Sequence, residues 1–226
     1  GDLDAALAHC AATGFDVCTD RPLRVTLFES APESHVLAVV VHHIAADGAS
    51  LAPLARDVMR AYAARSGGAA PRWDRLPVQY ADYALWQRDR LGDPTDPAST
   101  AARQLAFWRD RLAGAPEVLS LPTDRPRPPQ QSFRGDTVHF DIPADLYRQV
   151  TVTAQAHAAT PFMTVHAALA ALLARLSGSD DISIGTPVAG RGDSVLDDLV
   201  GMFVNTVVLR TPVRGGASFA EHLDTV

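Results

Sequence analysis

The sequence contains no lysine: all 20 of its basic residues are arginine, set against 26 acidic residues for a formal charge of −6. The arginine bias reads as codon usage. The negative balance, with no basic cluster interleaved with aromatics, argues against a nucleic-acid surface. Only two cysteines are present, Cys10 and Cys18. They are too few and too isolated for a disulfide framework or a zinc site, which fits a reducing, cytoplasmic setting. No apolar run approaches the roughly 20 residues of a membrane-spanning helix, and no signal peptide opens the chain. There is no Gly-x-Ser-x-Gly elbow, so a covalent serine or cysteine mechanism has no support. There are no internal repeats.

What is present is a globular composition. With 226 residues and 47% hydrophobic content, the chain can form one large domain or two modest ones. Helical spacing predicts a short helix over residues 2–12. Residues 23–30 alternate and residues 36–43 form an apolar run, with a turn between them at 31–34, which together predict an antiparallel hairpin. The second strand is apolar on both faces and is expected inside a covered sheet. Helices are expected from Ser50, as cap, to Arg65, over 76–91 and over 99–112. Tyr80, Tyr83, Trp86, Phe107 and Trp108 lie on the last two and are read as packing. Prolines at 122, 126, 128 and 129 forbid regular structure and predict a stiff connector. The domain reading is therefore residues 1–121, a proline-rich linker at 122–132, and residues 133–226. Beyond the linker we expect a strand at 137–142 and a helix from Pro143 to about His157. A long helix follows, capped by Thr160-Pro161 and closed by Gly178. Short strands are expected at 182–184 and 201–210. Strands and helices intermix on both sides of the linker, which indicates α/β layers.

The chain is organised around Val39-Val40-Val41-His42-His43-Ile44-Ala45-Ala46-Asp47-Gly48-Ala49-Ser50. Adjacent strand residues point to opposite faces, so one histidine can be a reagent while the other packs. An imidazole can take or offer a proton at cellular pH; the competing reading is a hydrogen-bonded core histidine. A metal at His42, His43 and Asp47 is disfavoured, because the side chains diverge and no further ligand follows at suitable spacing. Gly48 permits a tight turn. Gly185-Thr186-Pro187-Val188-Ala189-Gly190-Arg191 reads as a loop that approaches a ligand or another backbone closely. It is not a phosphate loop, lacking the lysine and the spacing. Arg191 is a candidate partner for a buried carboxylate. Asn205 interrupts an apolar strand and needs partners if buried, as structural glue or as a substrate hydrogen bonder.

Four stretches in this order resemble the condensation domains of nonribosomal peptide synthetases. They are His42-His43-Ile44-Ala45-Ala46-Asp47-Gly48, Tyr80-Ala81-Asp82-Tyr83-Ala84-Leu85-Trp86, Ile184 to Arg191, and Gly201-Met202-Phe203-Val204-Asn205-Thr206. The resemblance runs the length of the chain. It implies a chloramphenicol-acetyltransferase-like fold with two similar α/β halves in a V around a tunnel, of which this chain is the middle part, incomplete in both halves and inactive alone. It further implies that an acceptor amine attacks a donor thioester to form an amide. Both substrates arrive on the 4'-phosphopantetheine arms of donor and acceptor carrier proteins beside an adenylation domain, and the domain itself holds no cofactor or metal. By that similarity His43 faces the tunnel and deprotonates or orients the amine, while His42 packs. Asp47 is structural and pairs with Arg191 across the two halves, and Gly48 keeps the turn open. Ser50 and Asn205 are candidates to line the tunnel. Ala49 departs from the tryptophan of many relatives. The alternatives are an epimerisation domain, which shares the His-His-x-x-x-Asp-Gly corner, and a non-catalytic carrier-docking module.

Overall fold

The computed structural model describes residues 2–226. The chain divides into two compact units, Gly1–Ala102 with Pro187–Thr206, and Arg103–Thr186 with Val207–Val226. Compactness therefore does not divide at the proline-rich stretch. Residues 122–132 run exposed and irregular within the second unit.

In the first unit, α1 (Asp2–Ala12) packs on a hairpin of β1 (Leu23–Ala31) and β2 (Ser34–Val41). The antiparallel register pairs Leu23 with Val41, Val25 with Val39 and Leu27 with Leu37, with an irregularity between Glu29 and Ala31. Alternation sets Arg24, Thr26 and Phe28 toward the partly buried face. Arg24 donates to the Thr13 and Gly14 carbonyls (3.2 and 3.1 Å) and lies 4.3 Å over the Phe15 ring, which ties the segment after α1 to the hairpin. Among the described residues the expected covered sheet is not formed. The sheet has two strands, and Leu23, Val25, Leu27, Leu37 and Val39 on its other face are exposed.

A short 3-10 turn, Gly48–Ser50, leads into α2 (Leu51–Ser66), and α3 (Tyr80–Leu91) follows. Tyr83, Leu196, Leu199 and Phe203 form the core of this unit, with Leu76, Val78, Tyr80 and Val195 packed around them. The packing role read for Tyr80 and Tyr83 holds, whereas Trp86 is exposed.

In the second unit, α4 (Thr100–Leu112, entering from the first unit) is followed after a long irregular stretch by α5 (Ala144–Ala156) and α6 (Pro161–Ser177). Thr160 Oγ1 accepts from Met163 N, Pro161 occupies the first turn, and Gly178 closes α6 in the left-handed conformation at φ 71°. The strand expected at 137–142 is absent. Val138 and Phe140 are exposed, and without a neighbour to pair with, an alternating segment gains no ladder. β3 (Asp181–Val188) and β4 (Asn205–Pro212) form a second two-stranded sheet, and α7 (Phe219–Leu223) follows. β3 continues through Gly185-Thr186-Pro187-Val188, where a loop was expected, and residues 201–204 lie outside β4.

The buried apolar residues of this unit are Ala154, Ala167, Ala170, Ile182 and Leu223, and Thr164, His166, Thr211 and His222 are buried with them. The polar groups pair internally. His166 Nε2 meets Thr211 Oγ1 at 2.9 Å, and His222 Nε2 donates to the Ala167 carbonyl at 3.1 Å. Burial, then the nearby His222, lowers the His166 pKa. Arg210 on β4 holds Asp181 on β3 through its Nε and Nη2 atoms (2.9 and 2.6 Å) and donates to the Arg111 and Ala113 carbonyls (2.9 and 2.8 Å). A cation at the last carbonyls of α4 is favourable for the helix.

Candidate functional site

Three of the four motif stretches, and residues 187–191 of the other, lie in the first unit, which holds one buried ion pair. β2 ends at Val41, so His42 and His43 open a turn and do not end a strand. The alternation argument therefore does not apply to them, yet their surroundings still differ. His42 N donates to the Pro22 carbonyl (2.9 Å) and its carbonyl accepts from Ala45 N (2.9 Å). Its Nδ1 accepts from Ile44 N (3.0 Å). Phe15 meets the ring edge-on at 6.0 Å. His42 is thus committed to the turn. His43 is exposed, and its side chain makes no hydrogen bond among the described residues.

Asp47 is buried and is the N-cap of the Gly48–Ser50 turn, while Ser50 stands at the N-cap position of α2, as read, without a side-chain capping hydrogen bond there. Its Oδ1 accepts from Ser50 N (2.9 Å), Ser50 Oγ (2.8 Å) and Arg191 Nη2 (3.1 Å), and its Oδ2 accepts from Phe203 N (3.1 Å). Burial alone would raise its pKa. The hydrogen bonds from Ser50 Oγ, Phe203 N, Arg191 and Ser50 N outweigh that and hold the carboxyl at about 2.

Arg191 is equally enclosed, its side chain 6% exposed. Its Nη1 donates to the Leu196 carbonyl and to that of Leu199 (3.0 Å), and its guanidinium lies 4.1 Å from the Phe203 ring centroid. Its Nε is buried without a hydrogen-bond partner among the described residues. The glycine before it, Gly190, sits at φ 67°, and a Cβ there would fall 2.0 Å from the Phe203 carbonyl oxygen. Close approach of two backbones is what brings Arg191 into the pocket. Gly201 has a similar constraint: a Cβ would fall 2.1 Å from the Tyr80 ring, whose hydroxyl donates to the Met202 carbonyl at 2.6 Å.

Three expectations change. Ser50 is fully buried and lines no opening. Its hydroxyl is shared among Asp47, Arg191 and Gly201. Gly48 adopts no positive φ, and a Cβ there would meet nothing within 4 Å, so within this chain the turn has no steric need for glycine. Asn205 is exposed at the start of β4, its Oδ1 accepting from Thr206 N (2.8 Å). Sequence reasoning missed the links from the corner to Gly201 and Phe203, and from Tyr80 to Met202. They join positions more than 100 residues apart, and the order of the motifs was the one signal of their proximity. Among the described residues no cluster of His, Cys, Asp or Glu could hold a metal ion.

The condensation-domain profile matches residues 2–226. The chain belongs to the condensation-domain family. This condensation domain is 53% identical over 224 residues to the isonitrile lipopeptide synthase of Mycobacterium tuberculosis, covering 99% of the chain and 9% of that protein. It is 48% identical over 225 residues to the dimodular nonribosomal peptide synthase of Bacillus subtilis, covering 100% of the chain and 10% of that protein. Among solved structures it superposes on the X-domain from teicoplanin biosynthesis with a TM-score of 0.93 at 36% identity, over 99% of this chain and 50% of that one. On the first condensation domain of the CDA synthetase the TM-score is 0.69 at 25% identity, over 100% of this chain and 48% of that one. The condensation domain thus has the chloramphenicol-acetyltransferase-like α/β fold of these neighbours, and its relatives are nonribosomal peptide synthetases. The chain spans about half the length of the solved structures and a tenth or less of the curated relatives. Among the described residues no single helix is long and apolar enough to cross a membrane.

Proposed function

We propose that this chain is part of a catalyst of amide formation between two carrier-bound substrates. The observation that carries the reading is the pairing of an exposed, uncommitted His43 with a neighbouring corner locked by the buried Asp47–Arg191 pair. The acceptor's α-amine attacks the donor thioester carbonyl, the carbon–sulfur bond breaks, and the donor's phosphopantetheine leaves as a thiol. His43 accepts a hydrogen bond or the proton from the attacking amine, and Asp47 and Arg191 act as scaffold. Holding two tethered reactants together supplies much of the rate, since orientation alone is worth roughly 7–11 kcal/mol. His43 therefore need not be a strong base. The carriers and an adenylation domain are the partners, phosphopantetheine arrives with the substrates, and residues 122–132 join the two halves of the complete domain.

The test is a complete synthetase supplied with loaded donor and acceptor carriers. His43→Ala is expected to lower amide formation by about 10²- to 10⁴-fold, the range of general acid–base assistance, with the melting temperature unchanged. Parental turnover by the folded variant would refute the role. Inversion of a single loaded carrier's α-carbon without an acceptor would identify an epimerisation domain instead. A second reading, a non-catalytic docking module, is favoured by the 0.93 TM-score against the teicoplanin X-domain, which has been solved in complex with OxyB. Absence of any product from the parent, with retained binding of a carrier or of another protein, would select it.

A further inference from the structure

We propose that Ser50 is a positioning residue for His43, acting through the shared hydrogen bonds of its buried hydroxyl; this rests on the amide-forming reading. The Ser50 side chain reaches no solvent, so its effect on the reaction must travel through its neighbours. Its oxygen receives Arg191 Nη2 at 2.9 Å, Gly201 N at 3.1 Å and Asp47 N at 3.3 Å. Its single proton has two acceptors in reach, Asp47 Oδ1 at 2.8 Å and the Gly201 carbonyl at 2.9 Å. A hydroxyl has one donor and two lone pairs, so three donors share two lone pairs and two acceptors share one proton; among the described residues no other side chain hydrogen-bonds to Asp47, Arg191 and the Gly201 backbone at once.

His43 depends on this node because no hydrogen bond among the described residues holds its own side chain. Its place is set by the backbone on either side. On one side His42 is pinned to Pro22. On the other, Asp47 N donates to the Gly201 carbonyl at 3.1 Å and the Asp47 carboxylate receives Phe203 N. Ser50 binds the two partners of that second pin to each other. Removing its hydroxyl leaves the His42 pin intact, deprives Gly201 N of its partner and takes one donor from Asp47. The turn carrying His43 is then held less firmly at its second end, where the Asp47 N–Gly201 and Phe203 N–Asp47 bonds remain without the hydroxyl that cross-links them. A misplacement on the order of 1 Å is enough to cost about a hundredfold in rate.

In the complete synthetase with both carriers loaded, Ser50→Ala is expected to lower kcat about 10- to 100-fold. KM for either carrier substrate should stay within about twofold, because Ser50 touches neither substrate. Ser50→Cys, a weaker hydrogen-bonding group of similar shape, is expected to fall between the two, and it replaces the alanine variant if that one does not fold. The second measurement is NMR of histidine labelled at Cε1. The His43 signal should move in the variant, while those of His166 and His222, buried in the other unit, remain in place. Parental kcat in the folded variant, a stationary His43 signal, or equal movement of all histidines would each overturn the proposal. If the parent forms no amide, the proposed function fails, and the NMR measurement alone then supports or overturns the Ser50 role.

Discussion

Asp47 and Arg191 should be energetically coupled, and the structure indicates how strongly. Their side chains are 0% and 6% exposed and meet at 3.1 Å, so neither has water to fall back on. Asp47→Asn leaves Arg191 charged, buried and already carrying an unpartnered Nε. It also turns an acceptor into a potential donor beside Phe203 N or Ser50 N. Breaking a buried pair from one side costs about 3–5 kcal/mol, and the upper half of that range is expected here. Arg191→Met should cost less, about 3 kcal/mol, because Asp47 keeps three donors: Ser50 N, Ser50 Oγ and Phe203 N. The double variant removes both charges together and should fall short of the sum, giving a coupling of about 2 kcal/mol. The assay is urea unfolding of all four proteins at constant m-value, repeated in high salt. The coupling should persist in salt, unlike that of the solvent-exposed Arg56–Asp198 pair. Additivity within about 0.5 kcal/mol would refute the reasoning. Reversing both charges should recover little, because Arg191 is otherwise surrounded by carbonyls and Asp47 by donors.

Acid should weaken the same corner. The folded-state pKa of Asp47 is depressed from 3.8 to about 2, so its contribution, on the order of 2–3 kcal/mol, is complete above pH 4 and is lost as pH falls through 2. Acid unfolding of Asp47→Asn should lack that component, and an unchanged profile would count against it. Gly201→Ala forces a Cβ into the Tyr80 ring; denaturant titration should show a loss of about 1–3 kcal/mol from overpacking, relieved in part by a second change, Tyr80→Ala. Arg210→Ala should speed amide exchange in the last turn of α4 and around Asp181, because one guanidinium serves both; unchanged exchange at Arg111 and Ala113 would contradict that link.

Local chemistry fixed the helices where each end carried its own signal. Thr160-Pro161 and Gly178 bound α6 because a side-chain oxygen and a left-handed glycine satisfy terminal groups without help from elsewhere. The hairpin was legible for the same reason: its turn joins neighbours in sequence. Residues 137–142 have the alternation of a strand and none of its structure, because a strand exists only with a partner to pair with, and pattern alone does not supply one. The end of β2 at Val41 is a similar case, set by His42 Nδ1 turning back to Ile44 N.

The site divides along the same line. Residue types and motif order marked His43, Asp47 and Arg191, since an imidazole, a buried carboxylate and a permanent cation each have few uses. That Ser50 is a buried node and Gly48 an unconstrained residue was decided only when residues 187–206 packed against the corner. A serine hydroxyl or a glycine is suited to many surroundings, and its role comes from the atoms that tertiary folding brings within 3 Å.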